Sequence, residues 1–297
     1  MIRLIQVQKH YKDFTLNCSL TINPGRIVGL IGPNGSGKST TFKAILGLIG
    51  VEGGAIEVLG KQVAPAPEVD TQKLFEARDR EKLGVTFADS GFSGYLTITD
   101  VIKIQKAFYI SFNEERFLSE CKATKLPLKK PIRSFSNGMK AKLKVLAALS
   151  HNASLLLLDE PTAGLDVIAR DEILTLLRKY MEEDENRAIL ISSHISGDLE
   201  ELCDELYMID NGNVIWHEDT DKLLSDYALL KLTEKQYEAL DKTWLLRTRQ
   251  EDCSIVCLTN EKEFYRENYP DVVIENGGID DLIYFLVKGA RVSGGAL

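Results

Sequence analysis

An α/β fold with a parallel sheet is what the sequence predicts, and three observations carry that reading. Apolar runs of strand length recur, each followed by a helical pattern, at residues 26–31, 155–158 and 188–191. The first run leads into Gly32-Pro33-Asn34-Gly35-Ser36-Gly37-Lys38-Ser39-Thr40, which fits G-x-x-x-x-G-K-[ST]. The second ends in two carboxylates, Asp159 and Glu160. Strand, glycine-rich turn and helix in that order are what phosphate binding requires. Glycines permit backbone angles that turn successive N–H groups toward the phosphates, and the helix N-terminus adds partial positive charge. The fold class is therefore α/β of the P-loop NTPase type. Lys38 is placed to reach the β- and γ-phosphates, and the Ser39 hydroxyl to hold a magnesium ion.

Size and composition narrow the function classes. The chain has 297 residues, enough for one large domain with or without a small one, and is 44% hydrophobic and 27% charged, as soluble globular proteins are. A net charge of −8 argues against a broad nucleic-acid surface, which needs clustered Lys and Arg. No apolar stretch approaches the roughly 18–20 residues a membrane-spanning helix needs, and Met1 to Gln6 reads as a strand rather than a leader. A cytoplasmic location is expected. The cysteines, Cys18, Cys121, Cys203, Cys253 and Cys257, are scattered, and buried reduced thiols are expected of them.

Taken in order, residues 2–23 read as two or three short strands, with Tyr11 at a turn. The phosphate loop and a helix over Thr40 to Leu48 follow. Gly53-Gly54 is expected to make a turn before a strand at 55–60, and residues 61–82 a surface loop with a short helix. Leu83 to Phe87 is a buried strand. From Leu96 to Leu126 the pattern is helical, with Thr97 or Thr99 as cap. A strong helix follows Ser136-Asn137-Gly138-Met139-Lys140. Ile168 to Met181 and Ile195 to Cys203 are helical, and Asp210-Asn211-Gly212 joins a hairpin. Beyond Asp219 the chain is more polar, with helical segments near Leu223 and at 234–239, strand-like runs at 244–247 and 255–258, and an amphipathic helix from Ile279 to Lys288. Gly294-Gly295 reads as a frayed tail.

The leucine run places Asp159 and Glu160 at the carboxyl end of a central strand, where open α/β sheets bind ligands. Asp159 is the candidate for the magnesium ion, through water, and Glu160 for polarising the water that attacks the γ-phosphate. The alternative is an Asp-Glu pair capping the next helix. His194 ends the 188–193 run. It is either a structural histidine or, on a strand parallel to that of Asp159, an imidazole near the γ-phosphate.

These motifs, in this order, resemble those of ATP-binding cassette (ABC) ATPases: the phosphate loop, Ser136 to Lys140, Asp159-Glu160-Pro161-Thr162, Ala163-Gly164-Leu165-Asp166 and Ser192-Ser193-His194. The likeness covers about residues 1–218. It implies an ABC ATPase fold with an N-terminal antiparallel β subdomain, a helical insertion at about 92–150 and a small C-terminal α+β appendage. The domains expected are a nucleotide-binding domain at 1–218 and an accessory domain at 219–297, which carries no catalytic motif and reads as a dimer-supporting or regulatory addition. The resemblance further implies ATP and Mg2+ as cofactors and a head-to-tail homo- or heterodimer with ATP sandwiched between nucleotide domains. Ser136 and Gly138 match the family's Leu-Ser-Gly-Gly-Gln signature and should face the partner's γ-phosphate, whereas Asn137 and Met139 depart from it. Tyr11 matches the aromatic residue that stacks on adenine, the alternative being a strand-end tyrosine packed on the sheet. Asp166 matches the loop that crosses the dimer interface, and His194 the switch histidine. Where the family carries a glutamine after the 83–87 strand, Ala88-Asp89-Ser90 stands here, so Asp89 is a candidate for a water-mediated metal contact.

The function this resemblance implies is an ATPase subunit driving a separate integral-membrane permease from the cytoplasmic face of the membrane, with no nucleic acid as partner. The variant signature and small C-terminal addition are similar to export-type ATPases, including those of antimicrobial or amphipathic peptide exporters such as the phenol-soluble modulin systems. Two other classes compete. A soluble ABC-type ATPase acting on ribosomes or DNA would call for two cassettes or a long coiled coil, and a small-molecule kinase would not need the Ser136 segment.

Overall fold

The computed structural model describes residues 1–63, 77–251 and 254–292. Residues 2–22 form two long strands, β1 (Ile2–Tyr11) and β2 (Phe14–Ile22), joined by a two-residue turn and paired antiparallel. After β3 (Ile27–Ile31) comes α1 (Lys38–Ile45), which starts two residues before the expected Thr40, directly after Gly37, and stops before the expected Leu48, where Gly47 takes a φ of 65°. The Gly53-Gly54 pair is not a turn but the start of β4 (Gly53–Val58). Gly54 has a φ of 80°, and a Cβ there would lie 2.2 Å from the Gln6 carbonyl oxygen, opposite a register shift in β1. The glycines accommodate a bulge. β5 (Lys61–Val63) and α2 (Ala77–Arg80) follow, and the intervening part of the expected 61–82 loop lies outside the described residues, as do Cys253 and Gly294-Gly295.

β6 (Leu83–Thr86) leads into α3 (Ile98–Phe108), α4 (Glu114–Ala123) and α5 (Asn137–Leu149). Thr97 caps α3 in a reciprocal capping box with Asp100, and the helices close over Val101, Phe117, Leu143 and Leu146. β7 (Leu155–Asp159), α6 (Val167–Glu182), β8 (Ala188–Ser192), α7 (Ser196–Leu202), β9 (Glu205–Asp210) and β10 (Asn213–Asp219) complete the first sheet. Its order is β5-β4-β1-β2-β10-β9-β3-β8-β7-β6. The run from β9 to β6 is parallel, and every residue of β3, β7 and β8 is buried, as strands covered on both faces must be.

The remaining chain adds α8 (Thr220–Asp226), β11 (Ala228–Leu232), α9 (Glu234–Ala239), β12 (Leu245–Gln250), β13 (Ile255–Thr259), α10 (Lys262–Asn268), β14 (Val273–Asn276), α11 (Ile279–Lys288) and β15 (Ala290–Arg291). The five strands form a separate antiparallel sheet in the order β14-β11-β13-β12-β15. One face packs with α7 and α11 into the core that also holds β7 and β8, through Leu229, Leu246 and Leu258. The other face, with Leu230 and Cys257, is covered by Leu240 and Tyr265. Cys18, Cys121, Cys203 and Cys257 are buried free thiols.

Candidate active site

Parallel register brings the functional strand ends together. Leu30 pairs with Ser192, and Ser192 pairs with Asp159, so the ends of β3, β8 and β7 lie side by side at one edge of the sheet. The phosphate loop leaves β3 through Gly32, whose φ is 146° and where a Cβ would lie 2.0 Å from the Ile209 carbonyl oxygen. Only glycine fits there. Gly37 has a φ of 117°, and a Cβ there would lie 2.9 Å from the Phe14 ring. Behind the loop, the Asn211-Gly212 turn between β9 and β10 donates the Gly212 N–H to the Ser36 carbonyl at 2.8 Å. The hairpin legible in the sequence thus braces the loop.

Asn34, Gly35, Ser36, Gly37, Lys38, Ser39 and Thr40 line a cleft of about 250 Å³ together with Phe14, Asp159 and Glu160. Gly32 and Pro33 serve through their carbonyl oxygens, which accept from the Lys38 ammonium at 2.7 and 3.1 Å. Burial pushes the Lys38 pKa down, while the Glu160 and Asp159 carboxylates push it back up. The Ser36 hydroxyl is buried and has no hydrogen-bond partner among the described residues. An anionic oxygen in the cleft would satisfy it.

The Asp159 carboxylate is buried and accepts the Ser192 hydroxyl at 2.6 Å, and that hydroxyl oxygen accepts the Glu160 N–H at 3.0 Å. Glu160 has a φ of 53°, a left-handed conformation that costs a non-glycine residue on the order of 1–2 kcal/mol. Its Oε2 meets His194 Nδ1 at 2.6 Å and the His194 N–H at 3.3 Å. Such a residue, held in a costly conformation at the end of a buried strand, is the sort that function retains.

The other candidates lie elsewhere. Ser136 is the exposed N-cap of α5, accepting the Met139 N–H at 3.2 Å, and a Cβ on Gly138 would lie 2.9 Å from Ala169 Cβ. Asp166 caps α6, accepting the Ala169 N–H at 2.9 Å. Neither Ser136, Gly138 nor Asp166 lines the cleft of its own chain. Tyr11 ends β1 half-exposed, its ring 6.2 Å from that of Phe14. Phe14, which sequence reasoning missed, lines the cleft, and its strand alternation marked it only as sheet. Asp89 is exposed in the 87–90 turn and does not line the cleft. Its charge acts on Lys144, whose ammonium donates to the Phe87 and Ala88 carbonyls.

Residues 15–163 match the family model described as ABC transporter. The chain belongs to the ABC transporter ATPase family. It is 30% identical over 233 residues to the lantibiotic transport ATP-binding protein SrtF of Streptococcus pyogenes, covering 74% of this chain and 92% of that protein. It is 29% identical to the ABC transporter ATP-binding protein NatA of Bacillus subtilis, covering 72% and 85%. Among solved structures, an ATP-binding subunit of an ABC transporter is 26% identical with a TM-score of 0.62, over 75% of this chain and 91% of that one. A bacterial ABC transporter cassette, solved as a dimer, is 25% identical with a TM-score of 0.64, over 74% and 99%. As an ABC ATPase the chain binds and hydrolyses ATP. Among the described residues, no helix is long and apolar enough to cross a membrane.

Proposed function

We propose that this ABC ATPase closes as a dimer around two ATP molecules and drives a separate integral-membrane permease, residues 1–218 acting as the nucleotide domain and 219–297 as an accessory unit. The observation that carries the reading is the Glu160–His194 pair, 2.6 Å apart, at the mouth of the cleft that holds Lys38 and Ser39. Glu160 orients and deprotonates the attacking water, and His194 holds Glu160 and the γ-phosphate in register. Lys38 and the N–H groups of residues 34–40 stabilise the phosphate oxygens. The Ser39 hydroxyl and the Asp159 carboxylate are hard oxygen donors lining one cleft, which suits Mg2+ with its remaining positions filled by water and phosphate. Bound there, Mg2+ would neutralise charge on the β- and γ-phosphates. Asp89, outside the cleft lining, is a candidate only through water.

Ser136, Gly138 and Asp166 stand exposed or at helix N-termini, available to a second copy or a paralogous chain, as the signature reading requires. Tyr11 and Phe14 offer an aromatic edge for adenine beside the loop. Export of peptides or other amphipathic compounds is the transport reading, supported by similarity to the lantibiotic transport protein. The cytoplasmic membrane face follows from the permease. In a membrane extract, tagged full-length chain carrying Glu160→Gln should hold ATP, run as a dimer in size-exclusion chromatography and recover an integral-membrane protein. Recovery of ribosomes or DNA alone would sink the transporter reading.

A further inference from the structure

The helix that follows His194 is held from two sides, and the two sides lead to different parts of the molecule. Toward the cleft, Asp198 of α7 is almost wholly buried, accepts the Thr162 hydroxyl at 2.6 Å and faces Arg170 Nε at 2.9 Å. Thr162 lies two residues past Glu160, and the Arg170 N–H donates to the carbonyl of Asp166 at 3.0 Å. Burial raises the Asp198 pKa, against the opposing pull of the Thr162 hydroxyl and the Arg170 guanidinium, so the carboxylate is costly where it sits.

Toward the C-terminal sheet, Glu200 Oε1 accepts the N–H of Ile279, the first residue of α11, at 3.0 Å, and the Ser196 hydroxyl donates to the Asp280 carboxylate. A carboxylate at a helix N-terminus is favoured by the helix dipole. Ser196 and Glu200 are four residues apart and share one face of α7. Leu199 and Leu202 pack in the same apolar core as Ile279 and Leu282.

We propose that the C-terminal unit positions His194 for hydrolysis through α7, with Ser196 and Glu200 as positioning residues and Asp198 fastening the same helix to the Glu160–Thr162 turn. The proposal rests on the reading of Glu160 and His194 as hydrolytic residues. His194 precedes α7 by two residues, so a shift of that helix moves the imidazole relative to Glu160. No α7 residue lines the nucleotide cleft, so the effect falls on the rate and not on ATP binding. The C-terminal unit is then a control element of the ATPase.

The test uses the full-length chain carrying Glu200→Ala or Glu200→Gln, with ATP turnover and the NMR signals of the imidazole rings as readouts. The chain has four histidines, and the His194 signal is identified by its loss in His194→Ala. Glu200→Ala should lower kcat about tenfold with KM for ATP unchanged, since small displacements of reacting groups cost rate steeply. It should also displace the His194 resonance while those of His10, His151 and His217 stay in place. Glu200→Gln keeps an oxygen for the Ile279 N–H and should restore both. Asp280→Ala, at an exposed position, repeats the test from α11 if Glu200→Ala loses its fold. An unmoved His194 resonance, or a loss confined to KM, overturns the proposal. A moved resonance with unchanged kcat instead overturns the hydrolytic reading beneath it, a failure that normal turnover in Glu160→Gln would show independently.

Discussion

The parallel half of the first sheet and the C-terminal antiparallel sheet are built from similar apolar residues, yet they bury very different polar groups. Around β3, β7 and β8 the interior holds Lys38, Asp159, Thr162, Ser192, Ser193 and Asp198. From residue 220 onward, the buried polar residues among those described are Thr220 and Thr259, and Thr259 donates its hydroxyl to the Trp244 carbonyl. Burying charge is costly unless each group is paired. The first region accepts that cost where its strand ends converge, and the second avoids it. Buried charge is not confined to the cleft, since Arg187 is buried as well, bonded to the Tyr180 carbonyl, Glu183 and Asn152. Among the described residues of the C-terminal unit, however, no charged residue is buried, and that unit is organised by packing.

The largest effect that would sharpen this contrast is on catalysis. Glu160→Gln should cut ATP turnover by about 100-fold or more while leaving ATP bound, as loss of a general base does. Phosphate release and equilibrium nucleotide binding measure the two separately, and preserved turnover would remove Glu160 from its role. Stability changes come next. Gly32→Ala forces a Cβ against the Ile209 carbonyl at a φ of 146° and should cost on the order of 3 kcal/mol in chemical denaturation, with ATP affinity falling alongside. Leu230→Ala, at a fully buried site in the C-terminal sheet, should cost a similar 2–5 kcal/mol, roughly, and leave KM for ATP unchanged. A matching fall in ATP affinity would break the contrast.

Smaller effects belong to the helical insertion. Thr97→Ala removes the α3 capping box and should lower stability by about 1 kcal/mol, read from the unfolding midpoint. The smallest is a pH effect at His151, which is buried, stacks on Tyr109 with ring centroids 3.9 Å apart and bonds the Leu83 carbonyl at 3.0 Å. Burial lowers its pKa below the ordinary histidine value. The unfolded chain then takes up a proton near pH 6.5 while the folded chain does not, so stability falls as pH drops through that value and levels off below the folded pKa. His151→Phe should flatten this part of the pH–stability curve between pH 7 and 5.5.

Much of the first region was legible because its local patterns and its chemistry coincide. Four consecutive leucines that stop at Asp159-Glu160-Pro161 read as a doubly covered strand because the carboxylates and the proline bound the run, and glycines at 32, 35 and 37 announce a loop whose backbone meets a ligand. The C-terminal sheet was read in part: α11 emerged from its amphipathic pattern, whereas β11, α10 and β14 did not. Four residues of β11 are buried, as Ala228-Leu229-Leu230 and Leu232, and such a short apolar run fits helix or strand equally well. β14 is an exposed edge strand with no alternation to find.

By itself, the sequence determined the family, the phosphate loop, the carboxylate pair and the order of the strands that carry them, because each rests on residue types at short spacing. Tertiary structure alone decided which distant groups meet. It set Phe14 behind Gly37, gave the Gly53-Gly54 pair to a bulge opposite Gln6, and kept Asp89 out of the cleft lining. It also joined Glu200 to α11 and Asp198 to Thr162. Those outcomes depend on sheet register and helix packing between segments far apart in the chain, where local periodicity carries no information.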